Sequence, residues 1–295
     1  MTYEHGAGAT RLPAWLRRPI AHGGEYRAVD GLLAELGLST VCREAKCPNR
    51  GECFSAGTAT FLIAGDACTR GCRFCAVETR APAPLDPGEP GRVAEAVARL
   101  GLRHAVVTMV TRDDLPDGAA AHVAATIEAI RIAAPDAAVE VLTSDFAGDR
   151  ASLEVVCAAR PDVFNHNVET VPRLYATVRP GADYERSLGV LDTVASREPG
   201  IPTKSGLMLG LGETREEVLA VMADLRGVGC RLLTLGQYLR PSAAHLPVAE
   251  FVEPRAFAEF AREGRRMGFE GVASAPFVRS SYHAGELADG ATAAG

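Results

Sequence analysis

Six of the chain's eight cysteines fall between Cys42 and Cys75, in two sets of three: Cys42, Cys47 and Cys53, then Cys68, Cys72 and Cys75. In a reducing compartment such a run is not a disulfide framework, and clustered thiols point to metal or redox chemistry. A cytoplasmic protein is expected, because Met1 to Arg18 hold charges and a proline but no apolar run of signal-peptide length. No stretch reaches the length of a membrane span. A net charge of −6, with no block of Lys or Arg, argues against a nucleic-acid surface and against an anionic membrane partner.

The later triad has the spacing C-x3-C-x2-C and lies on the loop Gly65 to Cys75, directly after a predicted strand. Three thiolates on a short glycine-containing loop can hold three corners of a [4Fe–4S] cluster, leaving a fourth iron open to a cofactor. Zinc is the competing reading. Structural zinc wants four ligands in paired sets, and no suitably spaced His or fourth Cys follows. The earlier triad, C-x4-C-x5-C, sits among Arg43, Glu44, Lys46, Asn49 and Arg50. Buried structural cysteines keep apolar company, so these three read as ligands of a second cluster that lacks one ligand. Cys157 and Cys230 lie in apolar runs and read as core.

Beyond the cysteines, short β-type runs alternate with amphipathic helical stretches, the pattern of a parallel sheet built through crossover helices. Strands are expected at Ala59–Ala64, Ala105–Met109, Ala138–Leu142, Val163–Asn167, Thr203–Leu209, Leu232–Leu235 and Glu270–Ala273. Helices are expected at Pro90–Leu100, Ala119–Ala133, Ser152–Ala159, Tyr184–Ser196, Thr214–Val228 and Pro254–Met267. This α/β alternation fits a partial or full TIM-like (β/α) barrel, and a two-sided Rossmann winding gives the same pattern. Residues 1–58 read as an extension with a helical turn near Val29–Leu36 and a loop held by cysteines. Residues 59–274 read as the barrel core, and 275–295 as a tail whose last residues are expected to be disordered.

The later triad, with Phe74 before its last cysteine, resembles the signature of radical S-adenosylmethionine (SAM) enzymes. Both triads together resemble the lipoyl synthase family, as do Val110–Gly118, Asn165–Tyr175, Val178–Pro180, Thr203–Thr214, Leu235–Pro241 and Arg279–Ala284. The resemblance runs from Leu12 to Ala284. Arg43, Phe54 and the pair Ala119 and Ala120 depart from the family pattern without removing a ligand.

The resemblance implies a radical SAM barrel with two [4Fe–4S] clusters. One is the SAM cluster on Cys68, Cys72 and Cys75; the other is an auxiliary cluster on Cys42, Cys47 and Cys53, closed by a serine of the Arg279–Tyr282 motif, Ser281 or else Ser280. It also implies sulfur insertion at C6 and C8 of an octanoyl group on a lysine of a lipoyl carrier domain or H protein. An electron donor such as ferredoxin or flavodoxin would serve it, and an iron–sulfur carrier would rebuild the spent cluster. Rival readings are another sulfur-inserting radical SAM enzyme, or a non-catalytic iron–sulfur electron carrier, which needs no open iron.

In a barrel the chemistry lies at the carboxyl ends of strands, where Arg112, Asp113, Asn165, Asn167, Glu169 and Lys204 are candidates for SAM or substrate contacts. Asp113 and its neighbour Asp114 also suit a solvated loop or a helix cap. Gly206–Glu213 resembles the glycine-rich strand near the adenine of SAM, which adds Gly210 and Glu213. A plain turn before the next helix is the other reading.

Overall fold

The computed structural model describes residues 12–17 and 23–292. In chain order it comprises α1 (Gly24–Glu35), β1 (Ser39–Thr40), α2 (Val41–Glu44), α3 (Arg50–Ser55), β2 (Thr60–Ile63), β3 (Ala67–Cys68) and β4 (Glu78–Thr79). There follow α4 (Glu89–Leu100), β5 (His104–Met109), α5 (Ala120–Ala133), β6 (Ala138–Leu142), α6 (Arg150–Ala158) and β7 (Val163–Asn165). The remainder is α7 (Tyr175–Val178), α8 (Tyr184–Arg197), β8 (Thr203–Leu209), α9 (Arg215–Gly227), β9 (Leu232–Gln237), α10 (Pro254–Arg266), β10 (Gly271–Ser274) and α11 (Ala284–Thr292).

The main sheet has eight strands in the order β1-β2-β5-β6-β7-β8-β9-β10. All neighbours are parallel except β1, which pairs antiparallel with β2. The sequential order, with a helix between most strands and no pairing of β2 with β10, is that of a partial barrel and excludes Rossmann winding. Each of the seven expected strands is present.

Strand alternation sorts the two faces. Phe61, Ile63, Val107, Val139 and Phe164 point outward into a core shared with α1, α4 and α5. Leu207, Leu209, Leu233 and Leu235 join a second core with Leu225, Phe257 and Phe260 from α9 and α10. The inner face carries Thr60, Thr108, Gly206, Thr234 and Gly236, which are small or polar and leave a cavity.

Helix ends follow local chemistry. Thr214 and Glu217 form a reciprocal capping box at the start of α9, and Pro254 opens α10.

Three expectations are corrected. The cysteine loop before β2 holds two short helices, α2 and α3, which a four- to six-residue polar stretch does not announce by periodicity. The loop of the later triad carries a two-stranded sheet, β3 with β4. The tail contains α11, which Leu287 and Ala288 pack against Val163 and Leu232 beneath the sheet. The final residues, expected to be disordered, and most of Met1 to Arg18 lie outside the described residues. Among the described residues no helix is long and apolar enough to cross a membrane.

Candidate active site

The inner face encloses a cavity of about 310 Å³, lined by Cys47, Cys68, Cys72, Cys75, Ser280 and Ser281 among others. The later triad is pinned from several sides. Arg70, inside the C-x3-C loop, pairs with Asp113 at 2.7 Å and with Asp145 at 2.7 Å. Arg73 N–H donates to the Val178 carbonyl at 2.9 Å, which lays the loop against the segment leading to Arg179. Burial works to raise the pKa of Asp145, but the bonds and charge of Arg70 overcome it and hold the carboxyl at about 2.

The earlier triad is assembled over a longer reach. Cys42 is buried in the first core and Cys53 packs against it, while Cys47 faces the cavity. Cys47 N–H donates to Cys42 O at 3.2 Å, and Lys46 between them adopts a left-handed φ of 50°. The tail crosses this segment: Asn49 Nδ2 donates to Phe277 O at 2.7 Å, and Tyr282 Oη donates to Glu52 Oε1 at 2.5 Å. Ser281 therefore lies in a stretch fastened at both ends to residues flanking Cys47 and Cys53.

Burial, with the neighbouring thiols of the same triad acting in the same direction, pushes the thiols of Cys42 and Cys75 up to about 12. Cys72 is raised by burial too, against the opposing charge of Arg179. Thiols so placed resist ionising unless a cation arrives, and a polynuclear iron cluster is such a cation. What fits a cluster is the donor set itself, three soft sulfurs in each triad. Among the described residues no group of three His, Cys, Asp or Glu side chains is placed to hold a single metal ion. The zinc reading finds no ligand set here, whereas a cluster spreads its thiolates over several irons.

Of the eight candidate contacts, Asn167 and Glu169 line the cavity. Glu169 sits at a left-handed φ of 67°, locked by Glu169 N–H to Gly206 O at 2.9 Å and Met208 N–H to Glu169 O at 2.9 Å. Burial raises its pKa, and Arg179 opposes the rise. The other six occupy the scaffold. Arg112 is buried, donates to Ala64 O at 2.9 Å and pairs with Asp114. Asp113 serves Arg70. Asn165 and Lys204 lie below the cavity and both bond Glu140, with Lys204 Nζ 2.8 Å from Glu140 Oε1 and both ions fully buried. Gly210 has a φ of 97° and leaves no room for a side chain beside Gln237 and Glu250; Glu213 accepts from the Gly210 and Leu211 N–H groups and closes that turn.

Two cavity residues carried no sequence signal of their own. His166 is 1% exposed, with Nδ1 3.0 Å from Thr143 O and Nε2 unpartnered among the described residues. Burial lowers its pKa to about 4, so near neutral pH it is an uncharged ring that donates from Nδ1 and presents a bare Nε2 lone pair. Arg179 Nη1 is held by Asn167 O, Val168 O and Tyr175 Oη, and its buried Nε has no partner among the described residues.

The Radical SAM superfamily model matches residues 62–225, and the model for the N-terminal domain of lipoyl synthase matches residues 2–47. Lipoyl synthase of Methylococcus capsulatus is 57% identical over 279 residues, covering 94% of this chain and 87% of that protein. Lipoyl synthase of Geobacter sulfurreducens is 59% identical over 277 residues, covering 93% and 90%. Among solved structures, the [FeFe]-hydrogenase maturase HydG superposes with a TM-score of 0.56 at 17% identity, covering 72% of this chain and 50% of that one. Streptococcus suis SuiB bound to S-adenosylmethionine gives 0.53 at 11% identity, covering 70% and 45%. At such identities these two likenesses speak for the fold.

Proposed function

The chain belongs to the lipoyl synthase family of radical SAM enzymes, and on that premise we propose that it inserts sulfur at C6 and C8 of an octanoyl group borne on a lysine of a lipoyl carrier domain or H protein. The observation that carries this reading is the convergence of Cys47 and Ser281, from opposite ends of the chain, on the cavity of Cys68, Cys72 and Cys75. One triad would then hold the SAM cluster. The other, Cys42, Cys47 and Cys53 with Ser281, would hold an auxiliary cluster that is the sulfur donor. A serine oxygen is a hard, weak partner for iron beside thiolate, which suits a cluster that must be dismantled.

Cys68, Cys72 and Cys75 would hold the cluster that, with SAM, would supply one-electron cleavage of the sulfonium and so a radical able to take hydrogen from an unactivated C–H bond, one SAM for each of the two bonds. The chain's own residues do the rest. Arg70, anchored by Asp113 and Asp145, fixes the loop of the SAM triad. Asn167, Glu169 and His166 offer polar groups on the cavity wall, where neutral His166 accepts a hydrogen bond without adding charge. Apolar inner residues, Leu62, Val110 and Met208, exclude water from the path of the octanoyl chain. We read residues 1–58 as the part carrying auxiliary ligands, 59–274 as the barrel and 275–295 as the tail that supplies the serine. Ferredoxin or flavodoxin would bring electrons, and an iron–sulfur carrier would restore the consumed cluster.

Anaerobic incubation with SAM, dithionite and an octanoyl-lysine peptide, read by mass spectrometry, tests the proposal. The expected product, after oxidation, has gained two sulfurs and lost two hydrogens. Deoxyadenosine without sulfur insertion would reject the assigned substrate.

A further inference from the structure

The tail engages one of its two serines and leaves the next one open. Ser280 Oγ lies 2.7 Å from Asn167 Nδ2 and 3.0 Å from its Oδ1, so the amide holds the hydroxyl whichever bond it uses. The same Nδ2 lies 3.0 Å from Glu169 Oε1, which keeps the amide from turning away. Ser281 also lines the cavity, and its hydroxyl is bonded by no protein group among the described residues.

The sheet is shaped for this contact. A Cβ on Gly206 would lie 2.5 Å from Thr234 Oγ1, 3.0 Å from Asn167 Oδ1 and 3.2 Å from Ser280 Oγ. A Cβ on Gly236 would collide with the Val278 carbonyl oxygen. Two bare positions on neighbouring strands therefore let residues 278–280 lie directly on the inner face, while Asn49 and Glu52 hold Phe277 and Tyr282 to the earlier triad.

We propose that Ser280 is a positioning residue: gripped by Asn167, it fixes the tail so that Ser281 presents its hydroxyl to Cys42, Cys47 and Cys53, and it does not itself bind iron. The inference rests on the reading of Ser281 as the closing ligand. A side chain that orients a metal ligand through one hydrogen bond commonly governs affinity about 10-fold. Ser280 makes no bond to Ser281 itself and acts through the backbone the two share, and Asn167 acts through Ser280.

The test uses anaerobically reconstituted holoenzyme enriched in iron-57, without SAM, exposed to EDTA and followed by Mössbauer spectroscopy. The spectral component missing from Ser281→Ala identifies the serine-ligated iron. Ser280→Ala retains that component at the start but is expected to lose it about 10-fold faster than wild type. Iron on Cys68, Cys72 and Cys75 should leave at the wild-type rate. Asn167→Ala should match Ser280→Ala, and the double variant should be no faster than either, because both act through one contact.

The proposal is overturned if Ser280→Ala loses iron at the wild-type rate, or if the two substitutions add. It is equally overturned if both clusters are lost together, which is what general loosening would give, or if Ser280→Ala rather than Ser281→Ala lacks the component. The expected ranking in a protein that makes no lipoyl product would sink the proposed reaction alone. Wild-type protein with room for only four irons would sink both.

Discussion

The two cysteine triads reach one cavity, the earlier through Cys47 and the later through all three thiols, and they are built in different ways. Cys68, Cys72 and Cys75 lie on one short loop, stiffened by its own small sheet and clamped by Arg70 to Asp113 and Asp145. Cys42, Cys47 and Cys53 are distributed over α2, α3 and the turn between them, and the segment that bears Ser281 is tied to them by tail contacts spanning 228 and 230 residues. A site of local contacts survives changes elsewhere in the fold. A site closed by distant ones depends on every element that carries the tail, so on the proposed assignment the earlier triad is the vulnerable half.

The largest contrast is between Cys72→Ala and Cys47→Ala. The first is expected to remove deoxyadenosine and lipoyl product alike, the second to remove lipoyl product while SAM cleavage continues; liquid chromatography of both products decides. Loss of SAM cleavage in Cys47→Ala would erase the distinction between the triads. Next, Gly236→Ala pushes the tail off β9 and should lower lipoyl formation by about 100-fold, the scale of an ångström misplacement. SAM cleavage should fall far less.

Asp145→Ala attacks the opposite half. Arg70 keeps Asp113, so the loss should be about 2 kcal/mol in urea titrations, below the ~3–5 kcal/mol of a fully broken buried pair. The effect should fall on SAM-triad iron and spare auxiliary iron. Because the folded carboxyl titrates at about 2 against an ordinary 3.8, its stabilisation is complete above the ordinary value and fades as pH falls toward the folded one. Asp145→Asn should remove that acid dependence. The smallest effect belongs to Thr214→Ala, which breaks the capping box of α9 outside the cavity lining and should cost about 1 kcal/mol by thermal melting without favouring either cluster.

Strands and long helices were legible because their apolar residues repeat at periods of 2 and 3.6, and the outward set Phe61, Ile63, Val107 and Val139 did pack as a core. The short helices α2 and α3 and the Ala/Gly-rich α11 were not, since tertiary packing rather than periodicity holds them. Within the site the grouping of the cysteines was plain from spacing, and Cys47, Cys68, Cys72 and Cys75 do line one cavity. Strand-end position was a poorer guide: Asn165 and Lys204 sit one layer too deep, where the amide donates to Glu140 and the ammonium neutralises it, and Arg112 turns back to Ala64. His166 and Arg179 were missed as single residues because one His between two Asn, or one Arg on a loop, announces nothing until the fold places it on the cavity wall.

Because a ribosome delivers the amino end first, the loop of Cys68 to Cys75 and every strand of the sheet leave the tunnel before Ser281 does. A nascent chain can thus own both cysteine triads and a nearly finished sheet while still lacking the oxygen proposed to complete the earlier one. On the proposed assignment, metallation of the two halves need not be simultaneous, because the triad that awaits Ser281 is the last to be completed.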